Sequence, residues 1–163
     1  MNPCPCGYLG DPRRACKCNP MQVEKYLGRI SGPLLDRIDL HIEVPSVPYA
    51  DLAKPADGTG SAAMREQVTK ARAIQAERFG AKAGGLNSRM NSRQIRKYCA
   101  LDNEARGMLE TAMADLGLSA RAHDRILRAS RTIADLAGRA NIVGDDVAEA
   151  IGYRTLDRKL WAR

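Results

Sequence analysis

Aromatic side chains are scarce in this sequence. They make up 4% of it, with a single Trp and a single Phe. Any core must therefore be built from Leu, Ile, Val, Ala and Met, a palette that favours helices over a large sheet. No apolar run approaches the length of a membrane span, so a spanning helix is not expected. The N-terminus holds Pro, Gly and Cys where a secretory leader needs an apolar stretch, and a cytoplasmic location is the default expectation. The chain also has no G-x-x-x-x-G-K-[ST] phosphate loop and no apolar run ending in paired acids. Its Gly-rich stretches, DGTGS and AGG, lack a Lys that could reach a phosphate. An autonomous phosphate-loop hydrolase is thereby excluded.

The 163 residues suggest one domain, or one domain plus a fragment. Twenty-six Lys and Arg face 19 Asp and Glu, a formal charge of +7. Such an excess suits anionic partners, nucleic acid or nucleotide phosphates, and equally a merely basic surface.

Three zones follow one another. Residues 1–20 are rich in Cys, Pro and Gly, and no regular helix fits them. A helical stretch, MQVEKYLGRI, then leads through SGPLLDR to IDLHIEVP, where Ile38, Leu40, Ile42 and Val44 alternate with Asp39, His41 and Glu43. That is the period of a half-buried strand, ended by Pro45 and Pro48. A lone strand leaves its backbone groups unpartnered, so the rest of its sheet is expected elsewhere, a first hint that the chain is a fragment. Residues 49–60 read as a flexible connection. A charged helix is expected from Ser61 to about Phe79, with Met64, Val68 and Ala71 on one face.

After a glycine-containing loop at 81–89, the remainder reads as a helical bundle. Ser92 is expected to cap a short helix bearing Ile95, Tyr98 and Cys99. Asp102 caps the next, with Ala105, Met108, Leu109, Ala112, Met113 and Leu116 at helical spacing and Gly117 to stop it. Ser119 caps a third, whose apolar face is Ile126, Ile133, Ala134 and Ala137 with Ser130 among them. A last helix, from near Asp145, turns Val147, Ala150 and Ile151 inward. The expected class is mainly α: a remnant of an α/β core (Cys-rich loop, helix, one strand) at 1–48, a linker and charged helix at 49–86, and a C-terminal helical lid at 87–163.

Cys4, Cys6, Cys16 and Cys18 form C-x-C-x9-C-x-C. Four thiolates within fifteen residues can supply a complete tetrahedral shell for zinc, and Arg13, Arg14 and Lys17 nearby favour the thiolate form. The usual zinc spacing is C-x2-C, so disulfides and free thiols remain as alternatives. A closed four-Cys site would be structural, with no open position for chemistry. Cys99 stands apart, as a small core residue. Arg37 lies between a short helical turn and the strand, where a fixed guanidinium could reach a phosphate on a neighbouring molecule; an ion pair with Asp36 or Asp39 is the local alternative. Arg121, Arg125 and Arg128 share one helix face, away from the expected core, to meet phosphate or water.

The strings NPCPCGYLGDPRRACKC, RISGPLLDRIDLHIEVP, LSARAHDRILRASRTIADLAG and DVAEAIGYRTLDR, in this order, resemble the ComM/YifB group of bacterial magnesium-chelatase-like AAA+ proteins over nearly the whole chain. The resemblance implies that Asn2 is the sensor-1 residue, Arg37 an arginine finger acting on a neighbouring subunit's ATP, and Arg121 the sensor-2 arginine of the lid. It implies a homo-oligomer, a hexameric ring when full length, using ATP with Mg2+ to drive branch migration of DNA in natural transformation. The ATP cradle and metal site are then expected upstream of Met1 in a longer protein, the chain alone being inactive towards ATP. Two alternatives stand beside this. A small zinc-containing nucleic-acid-binding module would use Arg13, Arg14 and Lys17 on phosphates. A subunit of a porphyrin metal chelatase has less in its favour, because the resemblance to true chelatase subunits is confined to shared AAA+ elements.

Overall fold

The computed structural model describes residues 1–54, 58–80 and 85–154. What was expected of the connection at 55–57, the glycine loop at 81–84 and the lid's end at 155–163 lies outside the described residues. The described part is mainly α, with eight α-helices and no strand. It groups into two compact units, one from residues 1–38 and 42–54, the other from 39–41, 58–80 and 85–154.

In the first unit, residues 1–19 form irregular turns that end at α1, Pro20–Leu27. Asn19 starts this helix. Its Oδ1 accepts from Gln22 N at 2.8 Å, while Gln22 Oε1 accepts from Asn19 N at 3.0 Å, and Pro20 supplies a preset φ at the first helical position. One-turn helices α2, Gly32–Leu35, and α3, Tyr49–Leu52, follow. The second was expected to be plain connection; Pro48 ahead of it and Asp51 in its only turn favour a helical start there. The buried interior of this unit is thin: among its described residues only Cys4 and Leu35 are buried.

The second unit comprises α4, Ser61–Phe79; a 3-10 turn, Asn87–Arg89; α5, Ser92–Tyr98; α6, Asn103–Leu116; α7, Ala120–Leu136; and α8, Gly144–Gly152. Helix α7 is central, packing on α4, the 3-10 turn, α5 and α8, and α6 packs on α8. Met90, Ile95, Cys99, Leu109, Ile126, Leu127, Ile142 and Val147 fill the core, with Phe79 and Tyr98 edge-to-face at its margin. Caps set the boundaries. Asp102 accepts from Ala105 N at 2.8 Å and Ser119 Oγ from Ala122 N at 3.2 Å. Gly117, at φ +59°, takes the left-handed turn that ends α6.

Several expectations give way. The cap of α5 is Asn91, one residue before Ser92; its Oδ1 accepts from Gln94 N and Gln94 returns the bond, a reciprocal pair that a serine one position later cannot make. Met64 and Val68 are exposed, because α4 is buried only along its last turns, at Ala71 and Gln75. Ala137 caps the end of α7 and is exposed. IDLHIEVP forms no strand. No second strand exists among the described residues to complete a ladder. The alternation separates no buried face either: Ile38, Leu40, Ile42 and Val44 are exposed together with Asp39 and Glu43, and His41 is buried and donates its backbone N–H to Tyr153 O at 2.8 Å.

The interior of the second unit also holds charge. Asp135, 1% exposed, accepts from Arg78 at 2.7 and 2.5 Å, from Asn87 Nδ2 at 2.7 Å and from Arg131 Nε at 3.0 Å. Arg131 spends its other donors on Ala140 O and Arg139 O. Burial opposes ionisation of Asp135, but the hydrogen bonds from Arg78 and Asn87 and the charge of Arg131 outweigh it and hold its pKa below the ordinary value. Among the described residues no helix is long and apolar enough to cross a membrane.

Candidate functional site

The four cysteines of the N-terminal loop come together. Their sulfurs all lie within 4.8 Å of one another, with Cys4 to Cys6 at 3.4 Å, Cys4 to Cys16 at 3.7 Å and Cys6 to Cys16 at 3.6 Å. A disulfide needs about 2.05 Å, and all four thiols are free, so that alternative falls. A zinc ion about 2.3 Å from each corner of a regular tetrahedron sets neighbouring sulfurs about 3.8 Å apart, close to what is found. The turns that achieve this are local: Gly7 N donates to Cys4 O at 3.1 Å, and Asp11 N to Tyr8 O at 3.1 Å.

The thiols differ in acidity. Hydrogen bonds from the Tyr8 and Lys17 backbones lower Cys6 to about 6. At Cys16 the backbone of Cys18 works in the same direction, with Cys18 N 3.4 Å from Cys16 Sγ, yet burial and the Cys6 and Cys4 thiols push the value up to about 12. Cys18 is raised too, by burial and the Cys6 and Cys4 thiols, against a lowering bond from the Cys6 backbone. One sulfur ionises readily and its neighbours then resist. A bound cation removes that resistance, since coordinated thiols are deprotonated outright. This donor set can hold a metal ion.

Around the cluster Arg13, Arg14 and Lys17 are exposed. Arg14 lies over the Tyr8 ring at 4.2 Å and donates to its hydroxyl at 2.8 Å, while Arg13 reaches Val47 O at 3.3 Å. Asn2 is exposed, with its side chain beside Gly7. Arg37 follows α2 and is also exposed. Its Nη1 donates to Pro33 O at 2.7 Å, and Asp39, a candidate partner from sequence, instead pairs with Arg125.

On α7 the three arginines do not act alike. Arg121 is exposed in the first turn. Arg125 and Arg128 were expected to turn away from the bundle, yet both are partly buried: Arg125 is tied to Asp39, and Arg128 Nη2 donates to Met90 O at 2.9 Å. Their long stems bring them back over the bundle. Sequence reading missed the Arg78–Asn87–Arg131–Asp135 network altogether. Its only local signal is the Arg131–Asp135 spacing of four.

A cysteine knuckle before a short helical segment, then a bundle centred on one arginine-rich helix, is an arrangement with known relatives. Residues 58–154 match the family described as magnesium chelatase, subunit ChlI C-terminal, and residues 1–52 that described as magnesium chelatase, subunit ChlI. The class is therefore that of the magnesium-chelatase-like AAA+ proteins. Competence protein ComM of Haemophilus influenzae is 48% identical over 162 residues, covering 98% of this chain and 30% of that protein. The uncharacterised protein YifB of Escherichia coli is 41% identical over 162 residues, covering 98% and 31%. An uncharacterised protein of Mycobacterium tuberculosis is 36% identical over 153 residues, covering 94% and 30%. The chain belongs to the magnesium-chelatase-like family, with its similarity running to the ComM/YifB type. It spans about three-tenths of the length of these curated relatives.

Proposed function

We propose that this chain supplies the phosphate-sensing side chains of a ring-forming, ATP-driven motor that acts on DNA. The observation that carries the reading is the identity to a competence protein over 98% of the chain, with Arg37 and Arg121 both exposed on their own units. Arg37 is steadied from behind by Pro33 O, which orients the guanidinium while leaving it exposed. Such a group is suited to a γ-phosphate on a neighbouring subunit, where charge develops during transfer. Arg121 sits in the first turn of a 17-residue helix, where the helix dipole adds to its attraction for an anion. Asn2 would orient the attacking water. ATP, Mg2+ and the cradle for both would be met in the assembled longer protein, as a hexamer. Branch migration of DNA is the work this motor would do. In this reading the cysteine loop stands outside the chemistry, and zinc is the metal that suits its thiolates.

The test is a chimera in which this chain replaces the matching third of Haemophilus influenzae ComM. It should hydrolyse ATP and move a branched DNA junction. Arg37→Ala should lower kcat about 10³-fold or more with KM little changed. Arg121→Ala should lower it as well. Turnover at the parental rate in both variants would sink the proposal.

One observation favours a second reading, a zinc-bearing nucleic-acid module: Arg13, Arg14 and Lys17 are exposed around the thiols. If each meets a phosphate, replacing all three by Ala flattens the log–log salt dependence of DNA binding by about three. A slope that barely changes returns the binding to the motor reading.

A further inference from the structure

We propose that Cys4, Cys6, Cys16 and Cys18 form a closed zinc centre whose task is to hold the Asn2 side chain in place. The importance of Asn2 rests on the motor reading; the site itself does not.

Donor chemistry comes first. Four sulfur ligands at these separations select a soft, tetrahedral ion and reject Mg2+ and Ca2+, which take oxygen. With four protein ligands no coordination position stays open, so the ion does no chemistry of its own. Loading forms four Zn–S bonds, releases to solvent whatever protons the thiols still carry, and transfers no electrons.

Within the described residues of this chain the loop has little else to order it. Among residues 1–19 the one buried residue is Cys4, itself a ligand, and the first helix begins only at Pro20. Apolar burial cannot offset the cost of fixing nineteen backbones, at about 1–2 kcal/mol each. In short segments of this kind the metal supplies the folding free energy.

Asn2 is placed to feel that. It lies two residues before one ligand, and its side chain lies on the side of Gly7 where a Cβ would stand, Gly7 directly following another ligand. A Cβ built on Gly7 would stand 3.5 Å from Asn2 Nδ2 and 3.8 Å from Asn2 Cγ. Gly7 is at φ +83°, and its N–H is bonded to Cys4 O. The turn beside Asn2 therefore has Cys4 and Cys6, both ligands in this proposal, shortly before Gly7. Asn2 is a positioned residue, and the metal positions it.

The experiment uses the 163-residue chain. Elemental analysis should find one zinc per chain, and exchange for Co2+ should give the absorption of a tetrahedral tetrathiolate. Cys16→Ser should lose the ion and Cys99→Ser should keep it. A wild-type chain without zinc, or with a cobalt spectrum of oxygen ligands, overturns the site. In ¹H–¹⁵N spectra the Asn2 side-chain amide pair should be dispersed with zinc and collapse on chelation, while the α7 signals persist. A Gly7→Ala chain, which keeps all four thiols, should bind one zinc and still show a displaced Asn2 pair. Asn2 signals indifferent to the metal, or to Gly7→Ala, overturn the positioning. Neither readout involves ATP, so failure here is separate from failure of the chimera to turn over.

Discussion

Asp135 receives two bonds from Arg78, one from Asn87 and one from Arg131, with almost no access to solvent. Removing this carboxylate leaves two guanidinium groups with no countercharge in a largely dry interior. Asp135→Ala is expected to cost about 3–5 kcal/mol in urea denaturation. The pH dependence has a definite sign. The folded-state pKa is lowered, so the unfolded chain binds the proton more readily. The contribution is therefore complete above the unfolded value of about 3.9 and is lost as pH falls through the lower folded value. Melts between pH 6 and pH 3 should fall more steeply for the parent than for Asp135→Asn. Sequence reading passed over this residue because Arg131 and Asp135, four apart, look like any solvated helix pair. Arg78 and Asn87, 57 and 48 residues away in sequence, carry no local mark of joining them.

Helix α6 is the element whose limits could be read in advance. Asp102 and Gly117 act through their own immediate backbone, so a short window contains all the physics. Asp102→Ala should cost about 1 kcal/mol, and Gly117→Ala about 1–2 kcal/mol because a Cβ is disfavoured at left-handed φ. Both are measurable as shifts in the denaturation midpoint. The segment 38–45 marks the opposite case. Its alternation is plain, but strand formation depends on a partner that no window contains. The thiol cluster was legible because its four sulfurs lie within fifteen residues that also hold the turn-forming Pro5, Gly7 and Gly10, so the chain can fold back on itself locally. The fates of Arg125 and Arg128 were not, since they hang on Asp39 and the Met90 carbonyl, each brought up by chain folding.

At the scale of the molecule, the chain carries a net charge of +7 and lacks a phosphate loop, and the proposed role of Arg37 and Arg121 is to act on a nucleotide cradled elsewhere. By itself it should show no ATP hydrolysis above background in a coupled assay, even at saturating nucleotide. Motor-like rates from the isolated chain would falsify the division of labour proposed above. Its charge should make retention on DNA strongly dependent on ionic strength, whichever reading of the basic loop prevails.

The exposure of Ile38, Leu40, Ile42 and Val44 has a practical outcome as well. Four exposed apolar side chains within seven residues form a greasy stretch suited to docking onto a second copy. Concentrated solutions of the chain should therefore cluster reversibly through this stretch, and light scattering should rise with concentration. A charge-bearing Ile42→Lys chain should stay dispersed where its parent turns cloudy.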